Sequence, residues 1–278
     1  MSTSVTAISP HARTSGRSTP TPAVAHQRRR IPLHRLVMVE LRKSFDTTSG
    51  LWLLASIAGL ALLTSGAVIA FSPAEELTYQ TFTLAIGIPI SIILPVIAVL
   101  SVTAEWTQRS GLTTFTLVPH RERIVLAKAL ALVLVAAPSM LLAFTVGAVG
   151  HLLGSAITGT DTVWNMTWPA VAQFALGNTL VVLVGFTLGV LIRASAGALV
   201  AYFVYAFVAP PLLMLLEMKQ SWFADVRAWI DPSVTQDALF GSTSLTGEQW
   251  QQLAVTTAVW LVLPLMIGVL RLVRAEVK

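Results

Sequence analysis

Cysteine is absent from this sequence, and charge is scarce. Without a thiol there is no disulfide framework, no thiolate metal site and no cysteine nucleophile. Only 11% of the 278 residues are charged, against 55% hydrophobic, where a soluble domain carries about 25% charged residues. Long apolar runs with so little charge exclude an ordinary soluble domain and read as a polytopic membrane protein. The five histidines (His11, His26, His34, His120 and His151) never pair at helical ligand spacing, which argues against a histidine metal site. The four lysines (Lys43, Lys128, Lys219 and Lys278) follow Arg, Ala, Met and Val, never Gly, so the chain has no P-loop for ATP. No apolar run holds two acids, which removes an aspartyl dyad and a conventional proton relay. His151 ends an apolar run without a glycine-flanked serine to partner it, so an intramembrane serine protease lacks its pair.

What is present begins with a tail. Residues 1–30 are rich in Ser, Thr, Pro and Arg and contain no acid. They lack the apolar core of a secretory signal. Their make-up also imitates an organelle transit peptide, but a disordered basic cytosolic tail is the simpler reading, with Arg28, Arg29 and Arg30 favouring anionic lipid. Over 32–46 the pattern turns helical, with Leu33, Val37, Leu41 and Phe45 on one stripe and Pro32 at the first position. This predicts an interfacial helix on the inner membrane surface. Asp46 to Gly50, a cluster of cap and turn residues, separates it from the first span.

Six transmembrane helices follow, at about 50–71, 79–103, 124–150, 169–192, 195–216 and 252–273, so that 31–278 forms one all-α membrane domain. Pro89 and Pro95 kink the second span and Pro138 lies inside the third. A tight turn at Arg193 separates the fourth and fifth, and Thr246 with Gln249 forms a capping box before the sixth. With the N-terminus inside, sixteen of the eighteen Lys and Arg residues fall inside, leaving Lys219 and Arg227 outside among eight acids. That is the positive-inside asymmetry, and it puts both termini in the cytoplasm.

Between the second and third spans lies a polar elbow, Glu105 to Lys128, with Arg109, Arg121, Arg123 and Lys128 around a neutral, Thr-rich middle. Gly111 relaxes one helix and Pro119 fits the first turn of the next. Leu112, Phe115 and Leu117 break the polar run and make the elbow a docking surface rather than a plain solvated loop. Glu105, Gly111, Thr113, Leu117, Pro119, Arg121 or Arg123 and Lys128, in that order, resemble the first cytoplasmic loop of type-2 ATP-binding-cassette (ABC) transporter permeases. Glu40-Leu41-Arg42-Lys43 resembles the helix that precedes the first span in that family.

The resemblance implies the membrane subunit of an ATP-driven exporter that is not itself an enzyme and carries no cofactor. ATP and Mg belong to separate cassette ATPase subunits, and a second permease copy or paralogue completes the pore in the plasma membrane, among lipid and without nucleic acid. It implies that Glu105, Arg109, Gly111, Leu112, Thr113, Phe115, Leu117 and Pro119 carry ATPase coupling. In the family the second and fifth spans line the central path, which makes Tyr202, Phe203, Tyr205 and Met214 the substrate-path candidates. Those residue types suit an amphipathic or apolar substrate, or else face lipid or a neighbour. Pro210-Pro211 frees backbone carbonyls nearby. In the fourth span Gly185 and Gly189 form a packing face, with a hinge as the alternative. In the last outer loop Trp222, Val226, Trp229 and Ile230 make an amphipathic helix stopped by Asp231-Pro232, read as a short re-entrant segment that acts as lid or membrane anchor. The competing reading of the whole chain is a six-span scaffold or sensor without an ATPase.

Overall fold

Thr48, Ser49 and Gly50, expected as cap and turn residues before the first span, are helical. In the computed structural model α1 runs Leu33–Asp46 and α2 runs Thr48–Phe71. The structure describes residues 32–46, 48–107, 121–241 and 243–274. Among them the regular structure is entirely helical, continuing with α3 (Tyr79–Thr107), α4 (Arg121–Thr158) and α5 (Trp168–Ile192). Two further long helices, α6 (Ser195–Lys219) and α9 (Gly247–Arg274), enclose a short pair, α7 (Ser221–Ile230) and α8 (Pro232–Leu239). Helices α3, α4, α5, α6 and α9 are each long and apolar enough to cross a membrane, and α2, at 24 residues, adds a sixth rod. The chain is an all-α membrane protein.

The stripe on α1 has a different use from the one expected. Val37, with Leu33, Leu36 and Leu41 beside it, packs on Ala127 and Ala131 of α4. The two small residues on α4 let α1 approach, so the stripe covers protein rather than headgroups. Among the described side chains of α1, Met38 and Val39 are the exposed large apolar ones. Its polar side reaches α4 as well. Glu40 accepts from Lys128 Nζ at 2.6 Å and from Lys43 Nζ at 2.8 Å, and Lys128 also donates to the Ser101 carbonyl of α3 at 3.5 Å. Burial pushes the Glu40 carboxyl up, but the Lys128 and Lys43 charges and hydrogen bonds outweigh it and hold the group below the usual carboxylate range.

The third span does not stop at Gly150 but continues to Thr158, where Gly159 turns the chain at φ 69°. Gly150 is instead a close-packing position. A Cβ there would lie 2.0 Å from Ser65 Oγ and 2.9 Å from Phe82. At 38 residues, α4 is roughly 57 Å long, well beyond a ~30 Å hydrocarbon core, so it tilts or projects from the membrane. At its projecting end His151 is fully buried and spends its Nε2 on the Val163 N–H at 2.9 Å. The Val163 carbonyl accepts from Tyr79 N and Asn165 Oδ1 accepts from Gln80 N, so this segment closes the start of α3.

The core sits where α3, α4 and α5 meet. Ile86, Ile90, Leu94, Ala98 and Val102 recur every four residues along α3 and pack on Phe174, Val182, Phe186 and Val190 of α5 and on Leu132, Ala136, Met140 and Ala143 of α4. Between helices in lipid such contacts stabilise through close packing rather than water exclusion. Gly185 and Gly189 serve that end, since a Cβ at Gly185 would lie 2.7 Å from the Pro95 carbonyl oxygen and one at Gly189 3.3 Å from Val102. Arg193, at φ 60°, ends α5 by donating its N–H to the Gly189 carbonyl. In α5, 61% of the most apolar stretch is buried, against 6% in α6. The fifth span therefore lies at the periphery of the fold and touches it along one edge.

Candidate functional site

That edge is built by prolines. Proline has no N–H, so the carbonyl four residues earlier in a helix loses its donor. Pro95 in α3 frees the Ser91 carbonyl in this way, and the Tyr202 hydroxyl of α6 donates to it at 2.7 Å. Tyr202 is only 2% exposed, so the sequence-level conflict in one helix becomes the anchor of another. The chain answers its other prolines differently. Just before Pro210, α6 widens into a π turn over Val204–Val208, and just before Pro264, α9 does the same over Ala258–Val262. In each case the N–H after the turn reaches back five residues, to the Val204 and the Ala258 carbonyl. One inserted residue moves the proline ring clear of the preceding turn, and such bulges recur at functional sites.

The two π turns meet. Tyr205 of the first and Trp260 of the second hold their rings 5.9 Å apart. Both reach the α7–α8 hairpin, Tyr205 by accepting from Gln236 Nε2 at 3.1 Å and Trp260 by donating Nε1–H to the Ile230 carbonyl at 2.8 Å. Asp231 sits at the hairpin's corner, 1% exposed. Its Oδ1 caps α8 by accepting from Ser233 N and Oγ, and its Oδ2 accepts from Arg227 Nε at 3.0 Å. Arg227 also pairs with Glu217 at the end of α6. Burial opposes the Arg227 charge, but Asp231 and Glu217 outweigh it and hold the guanidinium above its usual value. Asp237, one turn into α8, is pushed up by burial and then by the Asp231 charge, against the pull of Arg227.

Beneath the hairpin these groups enclose a cavity of about 180 Å³, bounded by Ser91 of α3, Val181 of α5, Tyr202, Tyr205 and Pro210 of α6, Asp231, Gln236 and Asp237 of the hairpin, and Trp260 of α9. Its walls are largely aromatic and apolar, with acceptors concentrated on the hairpin side. Gln173 of α5 ties the loop after the hairpin to the core, since with its amide oriented to suit its neighbours it donates to the Thr243 carbonyl and accepts from Leu245 N. Thr246 and Gln249 then start α9 with the expected capping box.

Of the four substrate-path candidates, Tyr202 and Tyr205 line this cavity. Phe203 and Met214 do not; they are 40% and 54% exposed on the outer side of α6, with Phe203 packed between Tyr202 and Phe207. Among the coupling candidates Glu105 falls within α3, but its side chain is outside the described residues. Arg109, Gly111, Leu112, Thr113, Phe115, Leu117 and Pro119 also lie outside the described residues. Sequence reasoning passed over Trp260, Gln236 and Asp237. Pro264 was the available signal for Trp260, since it sits after an apolar turn just as Pro210 does. No family model matches this sequence, and no curated protein matches it.

Proposed function

We propose that this chain is the membrane subunit of an ATP-driven exporter of the type-2 ABC class, coupled to separate ATPase subunits through the elbow between α3 and α4. The observation that carries the reading is the order of elements. A short helix precedes the first span, six apolar rods follow, and a two-helix hairpin is set between the fifth and sixth. The resemblance of Glu40-Leu41-Arg42-Lys43 and of the elbow residues joins the same order. The Glu40–Lys128 pair supports it further, because it links the leading helix to α4 seven residues past that helix's start, beside the elbow. In this reading both termini are cytoplasmic, a second permease copy completes the path, and the protein resides in the plasma membrane. ATP binding closes the cassettes, the elbow passes on the motion, and the spans exchange inward- and outward-facing arrangements.

The test is copurification. Full-length tagged protein extracted from its native membranes should carry a cassette ATPase and vanadate-sensitive ATP hydrolysis. Leu112→Asp with Phe115→Asp, or Glu105→Arg, should remove both while leaving the protein in the membrane. Absence of an ATPase from the unsubstituted protein, or its retention by the elbow variants, refutes the reading.

A further inference from the structure

The cavity under the hairpin, lined by two of the substrate-path candidates, has a one-sided chemistry. Its polar wall carries the carboxylates of Asp231 and Asp237 beside Ser233 and Gln236. Several donors nearby are engaged, while the Tyr205 O–H and the second Gln236 N–H stay available to the cavity. Gln236 Nε2 gives to Tyr205, Ser233 Oγ gives to Asp231, and Arg227 holds Asp231 and Glu217 without lining the cavity. Among the described residues no cation pairs with Asp237. The remaining walls are aliphatic and aromatic, with Tyr205 and Trp260 paired at 5.9 Å and Tyr202 among them. Aromatic faces with a carboxylate at one side attract a cation and oppose an anion.

We propose that this cavity binds an organic ammonium ion carrying a small apolar or one-ring body, the ring among Tyr202, Tyr205 and Trp260 and the charge toward Asp237. Its volume, about 180 Å³, admits a one-ring molecule and excludes large polycyclic ones. The aromatic walls take up the body without hydrogen bonds, and the carboxylate side supplies selection by charge. The inference rests on the exporter reading only in making the bound cation the cargo; as a binding site it stands on the cavity alone.

Calorimetry on the purified full chain in detergent tests it with three one-ring probes: benzyltrimethylammonium, 3-phenylpropanol and phenylacetate. The ammonium should bind, the alcohol about tenfold more weakly, and the anion not measurably, as expected for one favourable or unfavourable charge contact. Asp237→Asn should weaken the ammonium about tenfold and leave the alcohol unchanged. Asp225→Asn, an exposed acid of α7 outside the cavity, should change neither. Ala206→Leu, which fills the cavity from the first π turn, should abolish binding of both. Equal affinity for the three probes, or equal losses in the Asp237 and Asp225 variants, overturns the proposal. If an ATPase copurifies while the ammonium fails to bind, the site falls and the exporter stands. Selective ammonium binding by a chain without an ATPase leaves the site and removes the exporter.

Discussion

Tyr202→Phe removes one oxygen and tests whether Pro95 and Tyr202 form a single device. The hydroxyl is buried, donates to the Ser91 carbonyl at 2.7 Å, and serves an acceptor that α3 itself cannot satisfy because residue 95 has no N–H. A hydrogen bond between membrane helices contributes about 0.6 kcal/mol on average, because the separated helices find other partners. Here the helix offers no alternative. The cost should therefore rise toward that of an unsatisfied buried carbonyl, about 1–3 kcal/mol, and we expect about 2. Pro95→Ala restores an N–H one turn from Ser91, closing the ladder. In that background Tyr202→Phe should cost only about 0.5 kcal/mol, a coupling of about 1.5 kcal/mol between residues 107 apart in sequence. Packing changes from the shortened proline ring cancel in the cycle. Reversible unfolding in mixed micelles, measured on all four proteins, supplies the numbers. Equal costs for Tyr202→Phe in both backgrounds would refute the reasoning.

Two further predictions concern the helix contacts. Gly185→Leu should lower the unfolding temperature sharply, with overpacking costs of about 1–3 kcal/mol or more, because even a Cβ would meet the Pro95 carbonyl at 2.7 Å; Gly59→Ala, with nothing within 4 Å, should be neutral or gain about 0.5–1 kcal/mol, and a Gly185 variant as stable as the Gly59 one would contradict the packing. Glu40→Gln should cost about 1–3 kcal/mol at neutral pH by removing one charged partner of the buried Lys128, at 2.6 Å. Since the Glu40 carboxyl is held below its unfolded value, its contribution is complete above the ordinary carboxylate range and is lost as pH falls through the folded value. The gap between the two proteins should close on acidification, and a pH-independent gap in denaturation curves would count against the pairing.

The rods were legible in the sequence because apolar length alone sets them. Arg193 and Thr246 marked helix ends for the physical reasons that turns and caps do. Gly150 misled because a glycine after an apolar run reads equally as a stop or as a close approach, and only the positions of Ser65 and Phe82, far away in sequence, decide which. The α1 stripe was legible as a covered face, and that Ala127 and Ala131 of α4 cover it depends on positions far away in sequence. At the site, Tyr202 and Tyr205 were visible from composition. The resemblance to the family's fifth span put Phe203 and Met214 with them, and residue type alone could not tell that these two lie on the outer side of α6. Trp260, Gln236 and Asp237 come from three separate elements, and their meeting depends on the hairpin's fold.

The two π turns have a mechanical consequence. A π turn trades regular i to i−4 bonds for longer ones, and a following proline removes another bond from the same ladder. The fifth and sixth spans are thus weakest at one level, over Val204–Val208 and Ala258–Val262. At that level each is fastened sideways to the α7–α8 hairpin, by Tyr205 to Gln236 and by Trp260 to the Ile230 carbonyl. The hairpin is itself held to the end of α6 by Arg227, which joins Glu217 to the capping residue Asp231. A bend at either π turn therefore shifts the hairpin, and a shift of the hairpin opens or narrows the cavity, because Asp231, Gln236 and Asp237 form one of its walls. Tyr205, Pro210 and Trp260 belong to the softened helices themselves, while Ser91, Val181 and Tyr202 belong to or are anchored on the α3–α5 core. Such a pocket, with one rigid half and one half hung on two softened helices, can couple ligand occupancy to the angle of the fifth and sixth spans without any change in the core.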